Sequence, residues 1–173
     1  MGQANALSYL VAGKPLDQVG SSSGEGDALQ TAARSLGTAA GGLLAKKIYA
    51  PSDIACTSKT GGTAQKLATA TGVTFEPDLE KLLATADTVV VAFKPQSLAV
   101  ADPRLAELTA GKLVLSILAG KRLARLATTF PAARNLVWAM PNTPSRIVAG
   151  MTAWCTRAPR QHDFRGMKIA LHI

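Results

Sequence analysis

Two short apolar runs constrain the fold of this chain more than any other feature. TVVVAF (88–93) and LVLSIL (113–118) are continuous rather than alternating in hydrophobicity, and the first is rich in valine. Such runs are typical of strands covered on both faces, as in a parallel sheet. A helical pattern lies between them in SLAVADPRLAELTAG (97–111), interrupted at Pro103. Because parallel strands joined through a helix form a right-handed crossover unit, this stretch predicts an α/β domain.

The same alternation continues on both sides of these runs. Further strands are predicted at 53–58, 73–77, 135–140 and 149–155. Further helices are predicted at 61–72, at 77–87 with Pro77 in the first helical position, and at 121–130. We therefore predict a doubly wound, Rossmann-like parallel sheet over residues 36–156. A divergent segment (1–35), rich in small residues, is expected to precede it, and residues 157–173 are expected to form a tail.

The strand that should open such a sheet has no obvious sequence. Two alternatives stay open. ALSYLVAG (6–13) forms this strand, or residues 26–47 form one long helix and the sheet is short.

Composition and charge restrict the class of protein. With 47% hydrophobic and 17% charged residues the chain is typical of a globular domain, and no run reaches the roughly 20 apolar residues of a membrane span. We predict a cytoplasmic location, because the first residues lack the pattern of a secretory signal. The net charge is +8, but the basic residues are scattered, so no nucleic-acid partner is predicted.

Few residues suggest metal or thiol chemistry. Cys56 and Cys155 lie in apolar stretches and are predicted to be reduced, buried thiols. His162 and His172 lie in the tail, where solvated side chains are expected rather than metal ligands. We therefore predict no metal site.

The ends of the predicted strands contain the candidate binding residues. In an open parallel sheet, ligands bind beyond the carboxyl ends of the strands. Lys94 and Pro95 follow the run 88–93, so the lysine can face a ribose hydroxyl or a phosphate, or reach solvent. Strand 53–58 ends in Thr57 and Ser58, followed by Lys59, with no carboxylate. Hydroxyls and a cation favour the 2′-phosphate of NADP, whereas an acid would favour the 2′-hydroxyl of NAD.

Two further loops follow the same rule. Ala119 and Gly120 end the run 113–118, and their small size lets the backbone approach a flat ring. Asn142 and Thr143 lie between two prolines after strand 135–140 and present an amide and a hydroxyl. Either loop alone could equally be a structural turn.

Taken together, these segments resemble a known family. IYAPSDIACTSKT, ADTVVVAFKPQ, GKLVLSILAGKRLARL and VWAMPNTPSRIVAGMTA occur in this order over about residues 42–156 and resemble the N-terminal domain of pyrroline-5-carboxylate reductase. This family uses NAD(P)H in the last step of proline biosynthesis. The AxKPQ and MPNTP elements at this spacing are more specific than a lone glycine motif.

The resemblance implies a set of cofactor-binding residues. Ser58 and Lys59 are expected near the adenosine 2′-phosphate, and Thr57, which precedes them, belongs to the same cofactor-binding set. Those along the nicotinamide ribose and ring are Ala92, Phe93, Lys94, Pro95, Ile117, Leu118 and Ala119, with Asn142 at the nicotinamide end. The cofactor is expected to be NADP, with NADPH preferred over NADH. The substrate is expected to be the small molecule pyrroline-5-carboxylate.

The chain also departs from the family pattern. Thr31 and Ala33 stand where the two glycines of the pyrophosphate-binding turn are expected, and Leu79 stands where an asparagine is expected. The helical second domain, which holds substrate and forms the dimer in this family, is expected to be absent. The oligomeric state therefore stays open, and no residue is assigned as a catalytic acid.

Three functions follow as hypotheses. The first is hydride transfer from NADPH to the cyclic imine by a truncated reductase. The second is a non-catalytic remnant that only binds the dinucleotide, and the third is another NADP-dependent oxidoreductase of the same fold. A basic nucleic-acid binder is the least favoured reading of the charge.

Overall fold

The computed structural model describes residues 6–11, 44, 49–58, 62–93, 95–141 and 152–158, and of 6–11 and 141 only the backbone. Within these residues the strands are β1 (Ala6–Val11), β2 (Ile54–Ser58), β3 (Thr74–Phe75), β4 (Ala86–Val91), β5 (Leu113–Ser116), β6 (Asn135–Pro141) and β7 (Thr152–Thr156). The α-helices are α1 (Gly62–Thr71), α2 (Leu79–Ala84), α3 (Leu105–Leu108) and α4 (Leu123–Thr129). Short 3-10 helices occupy Pro51–Asp53 and Pro95–Val100.

The strands form one sheet in the order β3-β2-β1-β4-β5-β6-β7. All neighbouring strands from β3 to β6 are parallel, and β7 is antiparallel to β6. The chain runs outward from β1 to β3 on one side and returns to build β4 to β6 on the other. The predicted doubly wound, Rossmann-like sheet is therefore confirmed.

The question of the first strand is settled by β1. Residues 6–11 pair with β2 on one side and with β4 on the other, so they form the central strand. The first alternative, ALSYLVAG, is confirmed, and the short sheet is wrong. Since β1 lies within the segment 1–35 that was expected to precede the domain, that part of the predicted boundary is corrected.

The continuous apolar runs are explained by a core on each face of the sheet. Val90 packs in one cluster, with Leu115, while Val89 and Val91 pack in the other, with Val114. Successive residues of a strand point to opposite faces, so a strand covered on both faces needs apolar residues at every position. Burying each of these side chains contributes about 1.5–3 kcal/mol to folding.

Several local predictions are corrected by the structure. Helix α2 begins after Asp78, which is its N-cap, so Pro77 precedes the cap instead of occupying the first helical position. Strand β4 ends at Val91, so Ala92 and Phe93 follow the strand, although both are buried. Cys56 is buried as predicted, but Cys155 is exposed on β7.

The amino edge of the sheet, where the parallel strands begin, is held by polar contacts within the protein. Arg134 forms an ion pair with Asp87 at 2.9 Å and donates to the carbonyl of Gly111 at 3.2 Å. The ammonium group of Lys112 donates to the carbonyl of Ala86 at 2.7 Å. The hydrogen bond from Arg134 lowers the pKa of Asp87, while partial burial lowers the pKa of Lys112. These contacts tie together the starts of β4, β5 and β6.

Asn135 fixes the end of β7 to the same edge. Its side chain is fully buried, and its carbonyl oxygen accepts hydrogen bonds from the hydroxyl of Thr156 at 3.1 Å and from the backbone N–H of Ala158 at 3.2 Å. Its amide group donates to the carbonyl of Ala158. The antiparallel strand is thus attached through a buried amide, as well as by its ladder with β6.

The described part of the chain contains neither a membrane-spanning helix nor a metal-binding cluster. There, the helices are too short or too polar to cross a bilayer. The same residues contain no group of three or more His, Cys, Asp or Glu side chains placed to hold a metal ion. The predicted position of His162 and His172 lies outside the described residues.

Candidate functional site

Four parallel strands that precede predicted site residues end at one edge of the sheet, here called the carboxyl edge. These strands are β2, β4, β5 and β6, which end at Ser58, Val91, Ser116 and Pro141. The predicted site residues lie at or just beyond these ends. Three of them, Lys59, Lys94 and Asn142, lie outside the described residues.

The topology places a crevice at this edge. β1 and β4 are neighbours in the sheet, and the connections that follow them run to opposite sides. At such a switch point the loops diverge and leave a space beyond the strand ends, which is where open α/β sheets bind ligands. The ends of β2 and β4 flank the end of β1 and therefore border this crevice.

A cavity of about 610 Å³ opens beyond β2 and β4. Its walls come from the end of β2, the loop before α2, the end of β4 and the segment leading into α3. The lining residues are Thr57, Ser58, Pro77, Asp78, Leu79, Phe93, Ser97, Val100, Ala101, Asp102, Pro103, Arg104 and Leu105. The size is that of a pocket for a small molecule or part of a cofactor.

Ser58 connects the end of β2 to the start of α1. Its side chain is buried, and its hydroxyl oxygen accepts a hydrogen bond from the backbone N–H of Ala64 at 3.3 Å. The thiol of Cys56 donates to the carbonyl of Ala64 at 3.4 Å. Since a serine hydroxyl is both donor and acceptor, the O–H of Ser58 can still donate to an anion at the cavity wall.

The buried thiol of Cys56, next to this site, is unreactive at neutral pH. Burial raises the pKa of Cys56 to about 11, so the thiol remains protonated at neutral pH. Because the thiolate is the reactive form of cysteine, Cys56 is a packing residue rather than a nucleophile.

The two aspartates that line the cavity already have partners. A carboxylate oxygen of Asp78 accepts from the backbone N–H groups of Glu80 at 2.9 Å and Lys81 at 3.4 Å, which caps α2. The carboxylate of Asp102 contacts the guanidinium of Arg104 at 2.8 Å, and this hydrogen bonding lowers the pKa of Asp102.

Arg104 also forms an ion pair with Glu80 at 2.9 Å. Its guanidinium therefore lies between two carboxylates, and its charge is largely balanced by them. At the end of β2, by contrast, the described residues present hydroxyls and no carboxylate.

The ends of β4 and β5 are joined directly. The backbone N–H of Ile117 donates to the carbonyl of Val91 at 3.1 Å, which holds the loop after β5 beside the loop after β4. Ile117 and Leu118 are buried, so their side chains belong to the core, whereas Ala119 is exposed. Any ligand here would therefore meet the backbone of this loop and the small side chain of Ala119.

The predicted residues thus fall into two groups. Thr57, Ser58 and Phe93 line the cavity, whereas Ile117, Leu118 and Ala119 lie at the neighbouring strand end and are not part of its lining. Ala92 is buried in the core cluster that contains Val90 and Leu115, and Pro95 begins the 3-10 helix that leads towards the far wall.

Sequence reasoning missed the far wall of the cavity. Asp102 and Arg104 were read only as part of a helix that restarts at Pro103. Residues at positions i and i+2 do not face each other on a helix, so the sequence gives no sign that these two side chains form an ion pair. Only the fold brings them to the same cavity as the end of β2. Leu79 was noted as a departure from the family pattern, and it lines the cavity.

Comparison with known proteins shows which families this chain is similar to. The model of the family described as NADP oxidoreductase, coenzyme F420-dependent, matches residues 35–120. The pyrroline-5-carboxylate reductase of Synechocystis is 39% identical over 114 residues, which cover 64% of this chain and 41% of the relative. The pyrroline-5-carboxylate reductase of Escherichia coli is 31% identical over 114 residues, which cover 65% of this chain and 42% of the relative. The chain thus spans less than half the length of these curated relatives.

Solved structures show the same fold. A pyrroline-5-carboxylate reductase from Coxiella burnetii superposes with a TM-score of 0.75 at 22% identity, over 99% of this chain and 57% of that chain. The Plasmodium falciparum enzyme, solved with NADP bound, gives a TM-score of 0.67 at 18% identity, over 98% of this chain and 55% of that chain. These likenesses confirm the predicted resemblance and the dinucleotide-binding type of fold.

Proposed function

We propose a function on the premise that this chain is similar to the N-terminal domain of pyrroline-5-carboxylate reductase. The proposal is that the carboxyl edge binds NADPH for hydride transfer to a small cyclic imine, pyrroline-5-carboxylate. One observation carries the proposal: the cavity at the end of β2 is bordered by Thr57 and Ser58, with Ser58 docked on α1.

The choice of NADPH over NADH rests on the chemistry of this strand end. A carboxylate after β2 would accept hydrogen bonds from a ribose 2′-hydroxyl and repel a 2′-phosphate. Ser58 instead offers a hydroxyl that can donate to phosphate oxygens, and Lys59 follows it in the sequence. The carboxylate of Asp78 is bound by backbone N–H groups, and that of Asp102 by Arg104. Their negative charges are therefore largely compensated and repel a 2′-phosphate only weakly.

The adenosine half is assigned to the cavity between β2 and α3. Its walls include the apolar side chains of Leu79 and Val100, which suit the faces of a purine. The nicotinamide half is assigned to Ala92–Pro95, Ile117–Ala119 and Asn142. Small residues and exposed backbone at the ends of β4 and β5 leave room for a flat ring there.

The residues of this chain contribute binding and orientation. The hydride is supplied by the reduced nicotinamide when the cofactor is bound. Strand-end loops tied to each other, as Ile117 is to Val91, hold the ring in one orientation and reduce the entropy lost on reaching the reactive geometry. No residue of this chain is assigned to protonate the imine nitrogen.

The remaining parts of the proposal concern organisation. The Rossmann-like domain, corrected to include β1, extends to residue 156, and residues 157–173 follow it as a tail. The protein acts in the cytoplasm on a small-molecule substrate. A second helical domain would complete the substrate site, and the oligomeric state depends on it.

Cofactor titration tests this proposal most simply. Purified chain is titrated with NADPH and with NADH by isothermal calorimetry, and pyrroline-5-carboxylate is then added while absorbance at the reduced nicotinamide band is followed. We expect NADPH to bind at least about 10-fold more tightly, a difference of about 1.4 kcal/mol. Binding without turnover would favour the non-catalytic remnant, and no binding of either dinucleotide would contradict the proposal.

The role of Lys59 can be tested by charge reversal. Lys59→Glu should abolish the preference for NADPH, because it places a carboxylate at the proposed 2′-phosphate position. Arg125→Glu changes an exposed cation on α4 by the same charge and serves as the control. An unchanged ratio of NADPH to NADH affinity in Lys59→Glu would remove Lys59 from the site.

A further inference from the structure

The backbone N–H and the backbone carbonyl of Leu118 are each bound by a side chain rather than by the strand ladder. β5 ends at Ser116, and the hydroxyl oxygen of Ser116 accepts the backbone N–H of Leu118 at 3.3 Å. The carbonyl of Leu118 accepts the indole N–H of Trp138 at 2.8 Å. Because Leu118 is buried, leaving either backbone group unpaired would be costly, so both contacts fix the local conformation.

Trp138 is itself held in place. It lies in β6, where it pairs in register with Ser116 of β5. Its ring packs against the core cluster that contains Leu118, Leu126 and Phe130. Register and packing together aim the indole N–H, which can only donate, at a loop that has left the ladder.

We propose that Trp138 is a positioning residue for the nicotinamide end of the cofactor site. It acts through Leu118, holding the loop 117–120 so that its backbone and Ala119 face the nicotinamide. The inference rests on the proposed function and deepens it, because it names the group that sets the geometry of one half of the site.

The structure explains why one hydrogen bond could control this loop. Gly120 has a φ of +68°, a conformation that side-chain-bearing residues rarely adopt, and it marks a sharp turn directly after Ala119. Without the indole N–H, the Leu118 carbonyl would lose a partner in the core, and the loop would turn to find another one. The cavity beyond β2 would be unaffected, since neither Leu118 nor Trp138 lines it.

The experiment separates the two halves of the cofactor. Trp138→Phe keeps an aromatic ring and removes the N–H, and Trp154→Phe, at a half-exposed position on β7, is the matched control. Affinities for NADPH and for 2′,5′-ADP, which contains only the adenosine half, are measured by calorimetry. We expect Trp138→Phe to weaken NADPH about 5-fold, as for one lost hydrogen bond, and to leave 2′,5′-ADP unchanged. Trp154→Phe should change neither.

A second variant keeps the test decisive if Trp138→Phe does not fold. Ser116→Ala removes the other contact to Leu118 and should also weaken NADPH without weakening 2′,5′-ADP. A merely structural role of Trp138 would lower the melting temperature and weaken both ligands in parallel, or neither, and either result would overturn the inference. If the wild-type chain binds neither ligand, the proposed function fails together with the inference. If wild type binds both and the variants show no selective loss, the inference alone fails.

Discussion

The two edges of the sheet use polar residues in opposite ways. At the amino edge, Asp87, Lys112 and Arg134 are bound to one another or to nearby carbonyls, and Asn135 is enclosed by the end of β7. At the carboxyl edge, the hydroxyl of Ser58 borders a cavity of about 610 Å³. The difference indicates that the polar groups of the amino edge stabilise the fold, and it supports the proposal that Ser58 at the carboxyl edge meets a ligand.

The largest expected effect at the amino edge comes from Asn135→Ala. This change leaves the partly buried backbone carbonyl and N–H of Ala158 without their amide partner, so we expect a loss of about 2 kcal/mol in the free energy of unfolding. The measurement is urea denaturation followed by circular dichroism. The affinity of the folded fraction for NADPH should not change. A loss of NADPH binding without a loss of stability would contradict the purely structural role of the amino edge.

The matching change at the carboxyl edge is Ser58→Ala. It removes the hydroxyl proposed to donate to the 2′-phosphate, and we expect NADPH to bind about 10-fold more weakly, or about 1.4 kcal/mol, with NADH unchanged. Loss of the contact with the N–H of Ala64 should also cost about 1 kcal/mol of stability.

Ser52→Ala is the control for Ser58→Ala. Ser52 is exposed and lies in the 3-10 helix that precedes β2, at the amino end of the same strand. Calorimetric titration of both variants compares the two ends directly. Equal NADPH affinity in Ser58→Ala and Ser52→Ala would contradict the assignment of Ser58.

The smallest expected effect is that of Asp87→Asn. Since the Asp87 side chain is about half exposed, its ion pair with Arg134 is screened by water, and its removal should cost at most about 1 kcal/mol. The arginine lowers the pKa of Asp87, so the stabilisation is present above the unfolded-state pKa, about 3.9, and is lost as the pH falls below it. The melting temperatures of wild type and Asp87→Asn, measured from pH 7 to pH 3, should therefore converge at acid pH. A difference in melting temperature that grows as the pH falls would contradict this prediction.

Much of the fold could be predicted from the sequence because the buried strands have a strong signal. In the runs 88–93 and 113–118 every position except Thr88 and Ser116 is apolar, as expected for a sheet with a core on both faces. Gly72, with a φ of +77°, ends α1 where the sequence placed the end of the helix. The strand β1 was harder to predict, since its six residues include a serine and a tyrosine and lie far from β2 in the sequence.

The candidate site was predicted less completely, for a physical reason. Thr57, Ser58 and Phe93 line the cavity and could be named because they lie at or just after the ends of recognisable strands. Arg104 reaches the same cavity from a segment with no strand, and its two ion-pair partners are 2 and 24 residues away in the chain. The contact with Glu80 is set by tertiary packing and leaves no local pattern. The positions of Lys59, Lys94 and Asn142 remain predictions.

Hydrogen exchange with and without NADPH tests the central claim most directly. If the carboxyl edge binds the cofactor, backbone amides after β2, β4 and β5, including those of Phe93 and Ala119, should exchange more slowly in its presence. The amides of Lys112 and Arg134 at the amino edge should be unchanged. Protection confined to the amino edge, or no protection at saturating NADPH, would contradict the account.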